Sequence, residues 1–140
     1  WECNQATWST YLGRTAWNRV TRVHAQIHVS NRLECGAWTI NTPWHRVITA
    51  GYLRCVRVSD GVSQDSNSIS ASVGGNHPTF HSFWTISSSN GGSVSASLPP
   101  GQYDVYVNVY GSVCTSPGEH ESDVNAYFFA SLTSWEERAD

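Results

Sequence analysis

Six histidines, eleven carboxylates and four cysteines are the groups in this 140-residue chain with the reach to do chemistry. Two histidine pairs, His24/His28 and His77/His81, stand four residues apart. On a helix that spacing gathers both rings on one face, as a zinc site requires. On a strand the rings share a face but stand about 13 Å apart, too far for one ion. Pro78 forbids a regular helix at the second pair. The histidines therefore read as solvated or hydrogen-bonding groups. Residues 59–97 hold thirteen serines, so a Ser/His/Asp set could be drawn almost anywhere, but no G-x-S-x-G turn occurs. Glu119 and Asp123 are a carboxylate pair of the type glycoside hydrolysis uses, at a separation the sequence does not give. No catalytic residue is assigned, and the chain is expected not to be an enzyme.

Binding chemistry is better represented. The loop at 60–67 offers oxygens from Asp60, Asp65 and Asn67, and 119–125 is a second acidic loop. Calcium takes about six to eight such oxygens, so it is the one cofactor to test; the EF-hand order is absent. The strongest signal is aromatic: seven Trp and six Tyr. Trp is costly to leave exposed. Trp38 and Trp84 read as core, whereas Trp44, beside Pro43, reads as a loop residue. Tyr106, Asn108 and Tyr110 stand at i, i+2 and i+4, two rings flanking an amide. Sugars stack their C–H faces on such rings and hydrogen-bond to such amides. Trp44 and His45 are expected to close one end of this strip.

The elements that must carry these residues are strands. From Tyr103 to Tyr110 the chain alternates without a fault, with Tyr103, Val105, Val107 and Val109 on one face. Val23, Ala25, Ile27 and Val29 alternate in the same way within 18–34, up to a break at Gly36. Further strands are expected at 7–12, 37–41, 47–49, 52–59, 68–73, 79–87 and 124–132. Gly51 divides two of them, and 74–78 is a turn. Asn90-Gly91-Gly92 is a hairpin signal leading into Val94, Ala96 and Leu98. After Gly111 a loop carries Cys114, and 135–140 is a charged tail. No fixed-period repeat is present. The whole reads as one all-β domain over 1–140, a single antiparallel β-sandwich of immunoglobulin-like or jelly-roll type with nine or ten strands.

Leu98-Pro99-Pro100-Gly101-Gln102-Tyr103 opens the best of these strands. It resembles the strand E–F corner of fibronectin type III and other immunoglobulin-like domains, with Leu98, Gly101 and Tyr103 in the corner positions. The resemblance covers about a tenth of the chain and implies a sandwich whose corner tyrosine bonds the backbone upstream. It implies nothing about function.

Cys3, Cys35, Cys55 and Cys114 contain no C-x-x-C, and an even, widely spaced set reads as two disulfides of open connectivity. A chain beginning at Trp1 with no Met, few charges and much Ser and Gly reads as a secreted, processed form. Residues 1–58 hold seven Arg against Glu2 and Glu34, and residues 59–140 hold Arg138 against nine acids. Interleaved halves would mix these charges; separated halves would make a bipolar surface. Net charge of −3 gives no expectation of a nucleic-acid partner.

The expected function is that of a secreted, non-catalytic, carbohydrate-binding module, lectin-like. Its partner is a glycan or another extracellular ligand. Three alternatives come from other segments. The Ser-rich 59–97 region suits a hairpin that enters a membrane and lines a pore. The loop 111–123 suits a secreted protease inhibitor. The charge division suits a self-assembling surface or filament subunit.

Overall fold

The structure, a computed structural model, describes residues 2–37, 44–78, 82–116 and 122–139. These form nine strands in two antiparallel sheets: β1 (Glu2–Arg14), β2 (Val20–Ala37), β3 (Trp44–Arg57), β4 (Ser63–Asp65), β5 (Ile69–Asn76), β6 (Ser82–Gly101), β7 (Tyr103–Thr115), β8 (Ser122–Ser131) and β9 (Trp135–Arg138). In the five-stranded sheet the order is β1-β7-β3, with β5 and β4 pairing successive parts of β3. In the other, β2 lies between β6 on one side and β8 with β9 on the other.

Alternation decides which side chains meet between the sheets. Val20, Val23, Ala25 and Ile27 of β2, with Val94, Ala96 and Leu98 of β6, pack against Leu53 and Cys55 of β3 and Tyr103, Val105 and Val107 of β7. A second cluster, around Leu33, Cys35 and Val47, takes in Trp84 and Phe128. Two close approaches fix how the sheets sit. A Cβ on Gly51 would lie 2.6 Å from Val29 Cγ1, and one on Gly111 would lie 2.4 Å from Phe128 Cγ.

Several sequence expectations need correcting, and the physical reason is mostly glycine. Gly36, Gly51, Gly74, Gly75, Gly91, Gly92 and Gly111 all lie inside strands. Where the expectation was a break or a turn, glycine instead admits a neighbour: Ile69 Cδ1 would stand 2.9 Å from a Cβ on Gly92. The hairpin at Asn90-Gly91-Gly92 is therefore one continuous strand, paired to β2 along its length. Likewise the strands expected at 47–49 and 52–59 fall in a single β3 that ends at Arg57, the expected turn at 74–78 is partly β5, and Cys114 lies within β7 rather than in a loop. The polar stretch after Asp60 contains β4, and the tail contains β9. The strand expected at 37–41 lies mostly outside the described residues.

Two disulfides are not formed. Cys3 and Cys114, directly opposed on β1 and β7, are bonded; Cys35 and Cys55 are buried free thiols in different core clusters. Burial pushes the Cys35 thiol up to about 11 and the Cys55 thiol up to about 12, because each thiolate would sit away from water.

At the β6–β7 corner the Tyr103 hydroxyl donates to the Pro99 carbonyl. Thr15, itself buried, receives the chain there: its hydroxyl accepts from Tyr103 N at 3.0 Å, and its N–H donates to Tyr103 O at 2.8 Å. Gly101 does not have a left-handed φ; only Gly13 and Gly61 do among the described residues. What Gly101 provides is clearance for Arg57, whose Cδ would lie 2.8 Å from a Cβ.

Candidate functional site

The outer face of the five-stranded sheet is built from the polar half of the alternation in β1, β7 and β3. Register places Tyr11, Tyr106 and Arg54 in one row across the three strands, Ser9, Asn108 and Tyr52 in the next, and Thr7, Tyr110 and Ala50 in the third. Tyr106, Asn108 and Tyr110 do share this face, and the pairing adds Tyr11 and Tyr52. Along the strand the platform runs about 13 Å from Tyr106 to Tyr110, and about 10 Å across from β1 to β3.

Each ring is held by a neighbour. Tyr11 and Tyr106 pack with centroids 5.3 Å apart. The Tyr11 hydroxyl donates to Asp104 at 2.9 Å, and the Tyr110 hydroxyl donates to Gln5 at 2.6 Å. Asn108 Nδ2 donates to the Tyr52 hydroxyl at 3.3 Å, and Arg54 lies over the Tyr52 ring at 6.0 Å. Asn108 Oδ1 accepts from Ser9 at 2.6 Å. Asn108 is only 1% exposed, so its amide is occupied in fixing the platform rather than offered to solvent. The polar groups at the surface are the hydroxyls, Gln5 and the flanking ion pairs.

Those ion pairs are Arg14–Asp104, bidentate at 2.9 and 3.1 Å, and Arg54–Asp65, bidentate at 2.8 and 3.1 Å. The Arg14 hydrogen bonds, helped by that from Tyr11, hold the Asp104 carboxyl below the usual carboxylate range despite some desolvation. In return the Asp104 bond pushes the Tyr11 phenol up. Both pairs, with Arg57–Asp60, join the arginine-rich first half of the chain to the acidic second half. Folding thus interleaves the two charge classes here instead of separating them.

Trp44 and His45 do not join the platform. Arg54 is the β3 residue opposite Tyr106, and Trp44 stands ten residues earlier on β3, roughly 33 Å away along the strand. Trp44 is exposed there, but His45 faces inward and is buried, with Nδ1 3.0 Å from the Thr115 hydroxyl. The calcium candidates each have protein partners. Asp60 takes Arg57 and the Val62 N–H, which lower its carboxyl; Asp65 takes Arg54; the Asn67 amide bonds the β6 backbone at Ser93 and Ser95. Among the described residues no group of three or more His, Cys, Asp or Glu is placed to hold a metal. His24 and His28 share the outer face of β2, opposite Ser95 and Gly91, while His77 is buried edge-on against Trp84 at 5.6 Å. His81 and 117–121 lie outside the described residues, and with them Glu119 and the middle of the inhibitor-loop candidate; of the rest of 111–123, residues 111–115 belong to β7 and 122–123 to β8.

A second concave region went unread in the sequence. Between the edge strands β1 and β8 runs a groove of about 670 Å³, with Trp8 and Val109 on one wall and Phe128 and Ala130 on the other. Trp8 and Phe128 are far apart in sequence, and only the strand order brings them together.

No family model matches the chain, and no curated protein matches it. Structures of infectious bursal disease virus, strains Gx and Gt, align over 99% of this chain and 42% and 40% of theirs, so the chain spans about two-fifths of their length. Identities are 8% and 10% and both TM-scores are 0.21, a likeness that carries no argument.

Proposed function

We propose that the protein is an extracellular, non-catalytic binding module that takes carbohydrate on the outer face of its five-stranded sheet. The two sheets are read as a β-sandwich serving as a rigid support. One observation carries the reading: four tyrosines, Tyr11, Tyr52, Tyr106 and Tyr110, share one solvent-facing sheet face, three of them fixed by hydrogen bonds to Asp104, Asn108 and Gln5. Rings already held in place lose little freedom when a sugar stacks on them, which favours binding. The disulfide between Cys3 and Cys114 supports an oxidising compartment. The serine-rich region supports the pore reading less, because its expected hairpin is one strand fully paired to β2.

The test is a glycan array with wild type and with Tyr106→Ala and Tyr110→Ala, beside a dye-release assay on liposomes. The expected result is glycan binding by wild type, weakened at least about tenfold in either variant, which corresponds to ~1.4 kcal/mol. Far-UV spectra and thermal profiles should stay near wild type. Binding that is indifferent to both substitutions would move the site elsewhere. Dye release without glycan binding would replace this reading with the membrane one.

A further inference from the structure

The tyrosines of the outer face of the five-stranded sheet are spread too widely for one sugar. Tyr52 is directly opposite Asn108, and Asn108 lies midway between Tyr106 and Tyr110 on β7. Two residues along a strand and one strand across make a step of roughly 8 Å. Tyr52 stands that far from Tyr106 and again from Tyr110, and the two end positions are about 13 Å apart. A pyranose ring is about as wide as a phenol ring. A single sugar covers one of the three positions, and only a chain reaches all of them.

The middle position differs from the ends. Arg54 already lies over the Tyr52 ring at 6.0 Å. The Tyr52 hydroxyl accepts from Asn108 Nδ2 at 3.3 Å and keeps its own O–H to donate. At one end Tyr11 tilts against Tyr106, with centroids 5.3 Å apart and planes at 58°, which makes a corner for the face of a sugar. At the other end Tyr110 is flanked by the small residues Thr7 and Ala50, which leave room around its ring. The order along the face is ring, hydroxyl, ring.

Charge sets a second property of the ligand. The ionic groups bordering the strip are Arg14 with Asp104 and Arg54 with Asp65, each a bidentate pair. A sulfate or carboxylate on the ligand would have to displace an aspartate from its arginine or lie against that aspartate. The hydroxyls and amides of a neutral sugar require neither. We infer that the face takes an extended, uncharged glycan chain of at least three sugars, lying along β7 with its ends on Tyr106 and Tyr110 and a middle sugar hydrogen-bonded by the Tyr52 hydroxyl. This rests on the carbohydrate reading above and adds that a length of chain, not a terminal sugar, is recognised.

Titration calorimetry tests it with linear oligomers of glucose, xylose, mannose and N-acetylglucosamine, each from monomer to hexamer, and with oligomers of galacturonic acid as the acidic arm. In at least one neutral series the affinity should rise at least about tenfold from monomer to trimer, with the acidic series weaker at every length. Tyr110→Ala should remove most of that rise. Tyr52→Phe, which keeps the ring, should lower trimer affinity more than monomer affinity. Thermal scans confirm folding of both variants. Equal affinity for monomer and trimer overturns the inference, as does a preference for the acidic series, and the carbohydrate reading survives either result. A rise that neither substitution touches also overturns it, since the chain then lies elsewhere. If no series binds, the glycan array separates the two ideas. A linear, uncharged array hit supplies the series on which the same comparison is made. Hits confined to branched or terminal sugars overturn the chain and keep the carbohydrate reading, whereas an empty array removes both.

Discussion

The two faces of β7 obey the same alternation and are made in opposite ways. Inward, Tyr103, Val105 and Val107 are buried by apolar packing, and the series ends at Gly111, where Phe128 occupies the space of a side chain. Outward, Asp104, Tyr106, Asn108 and Tyr110 are tied to side chains on β1 and β3 by directed bonds and ring contact. Yet Asn108 on the outer face is 1% exposed, as hidden as the inward valines. Period two tells which way a residue points. How deeply it is covered depends on the neighbours that the pairing supplies. One face is a volume constraint and the other is a bonding constraint, so they should fail differently.

Gly111→Ala attacks the inward face and should have the largest effect. Its Cβ would lie 2.4 Å from Phe128 Cγ and 2.6 Å from both Cδ atoms, so either the ring or a strand must move. Overpacking of this sort costs about 1–3 kcal/mol, and three ring contacts place this case at the upper end. Chemical denaturation measures the loss. Phe128→Leu in the same chain should recover part of it, a non-additivity expected only of residues in contact. If the two substitutions add independently, Gly111 is not where the sheets touch.

Asn108→Ala attacks the outward face. It removes the acceptor for Ser9 and the donor to Tyr52, leaving both hydroxyls near enough to water to be partly rehydrated. The expected loss is about 1 kcal/mol, within the usual range for a hydrogen-bonding group, and below that of Gly111→Ala. Its signature is different: no apolar substitution elsewhere should restore it, and Tyr52 should become more mobile. An unchanged denaturation midpoint would mean that the outer face is held by its rings alone.

The strands of this fold were legible in the sequence, but their ends and partners were not. The alternation in β2 and β7 is local and needs no knowledge of neighbours. The glycines misled because a glycine that lets Val29 approach Gly51, or Ile69 approach Gly92, looks in sequence like one that turns the chain. Three connectivities stood open for the cysteines, and the register of β1 on β7 is what selects Cys3 with Cys114. Half of the candidate site was legible for the same reason. Tyr106, Asn108 and Tyr110 lie on one strand, whereas Tyr11 and Tyr52 come from strands 93 residues apart from Asp104 in one case and 56 from Asn108 in the other. Their own alternation, in 7–12 and 52–59, marks them as outward. Nothing local says they meet. Trp44, beside Pro43, has the local look of a loop residue, and the continuous β3 carries it and His45 to the far end of the sheet.

The smallest effect concerns acid. Asp104 accepts from Arg14 and Tyr11, so its folded-state carboxyl titrates below the unfolded value of about 3.9. Unfolding near that pH therefore takes up a proton. The stabilisation is present above pH ~4 and is lost as pH falls through the folded-state value. Tyr11 gives the opposite flank. Its phenol is raised by the same bond, so that contribution is complete below pH ~10 and disappears as pH rises through the raised value. Both groups are solvent-facing, and salt should weaken the effect. Asp104→Asn should lower the neutral midpoint slightly, because it removes the bonds to Arg14 and Tyr11, and the difference from wild type should close towards both ends of the pH range and shrink in high salt. A side-chain carboxyl titration by NMR gives the direct reading. If Asp104 titrates at or above the ordinary carboxylate value, the bidentate pair does not persist in solution. The outer face of β7 would then be fixed at its Tyr106 end by ring contact with Tyr11, a packing constraint like that of the inner face.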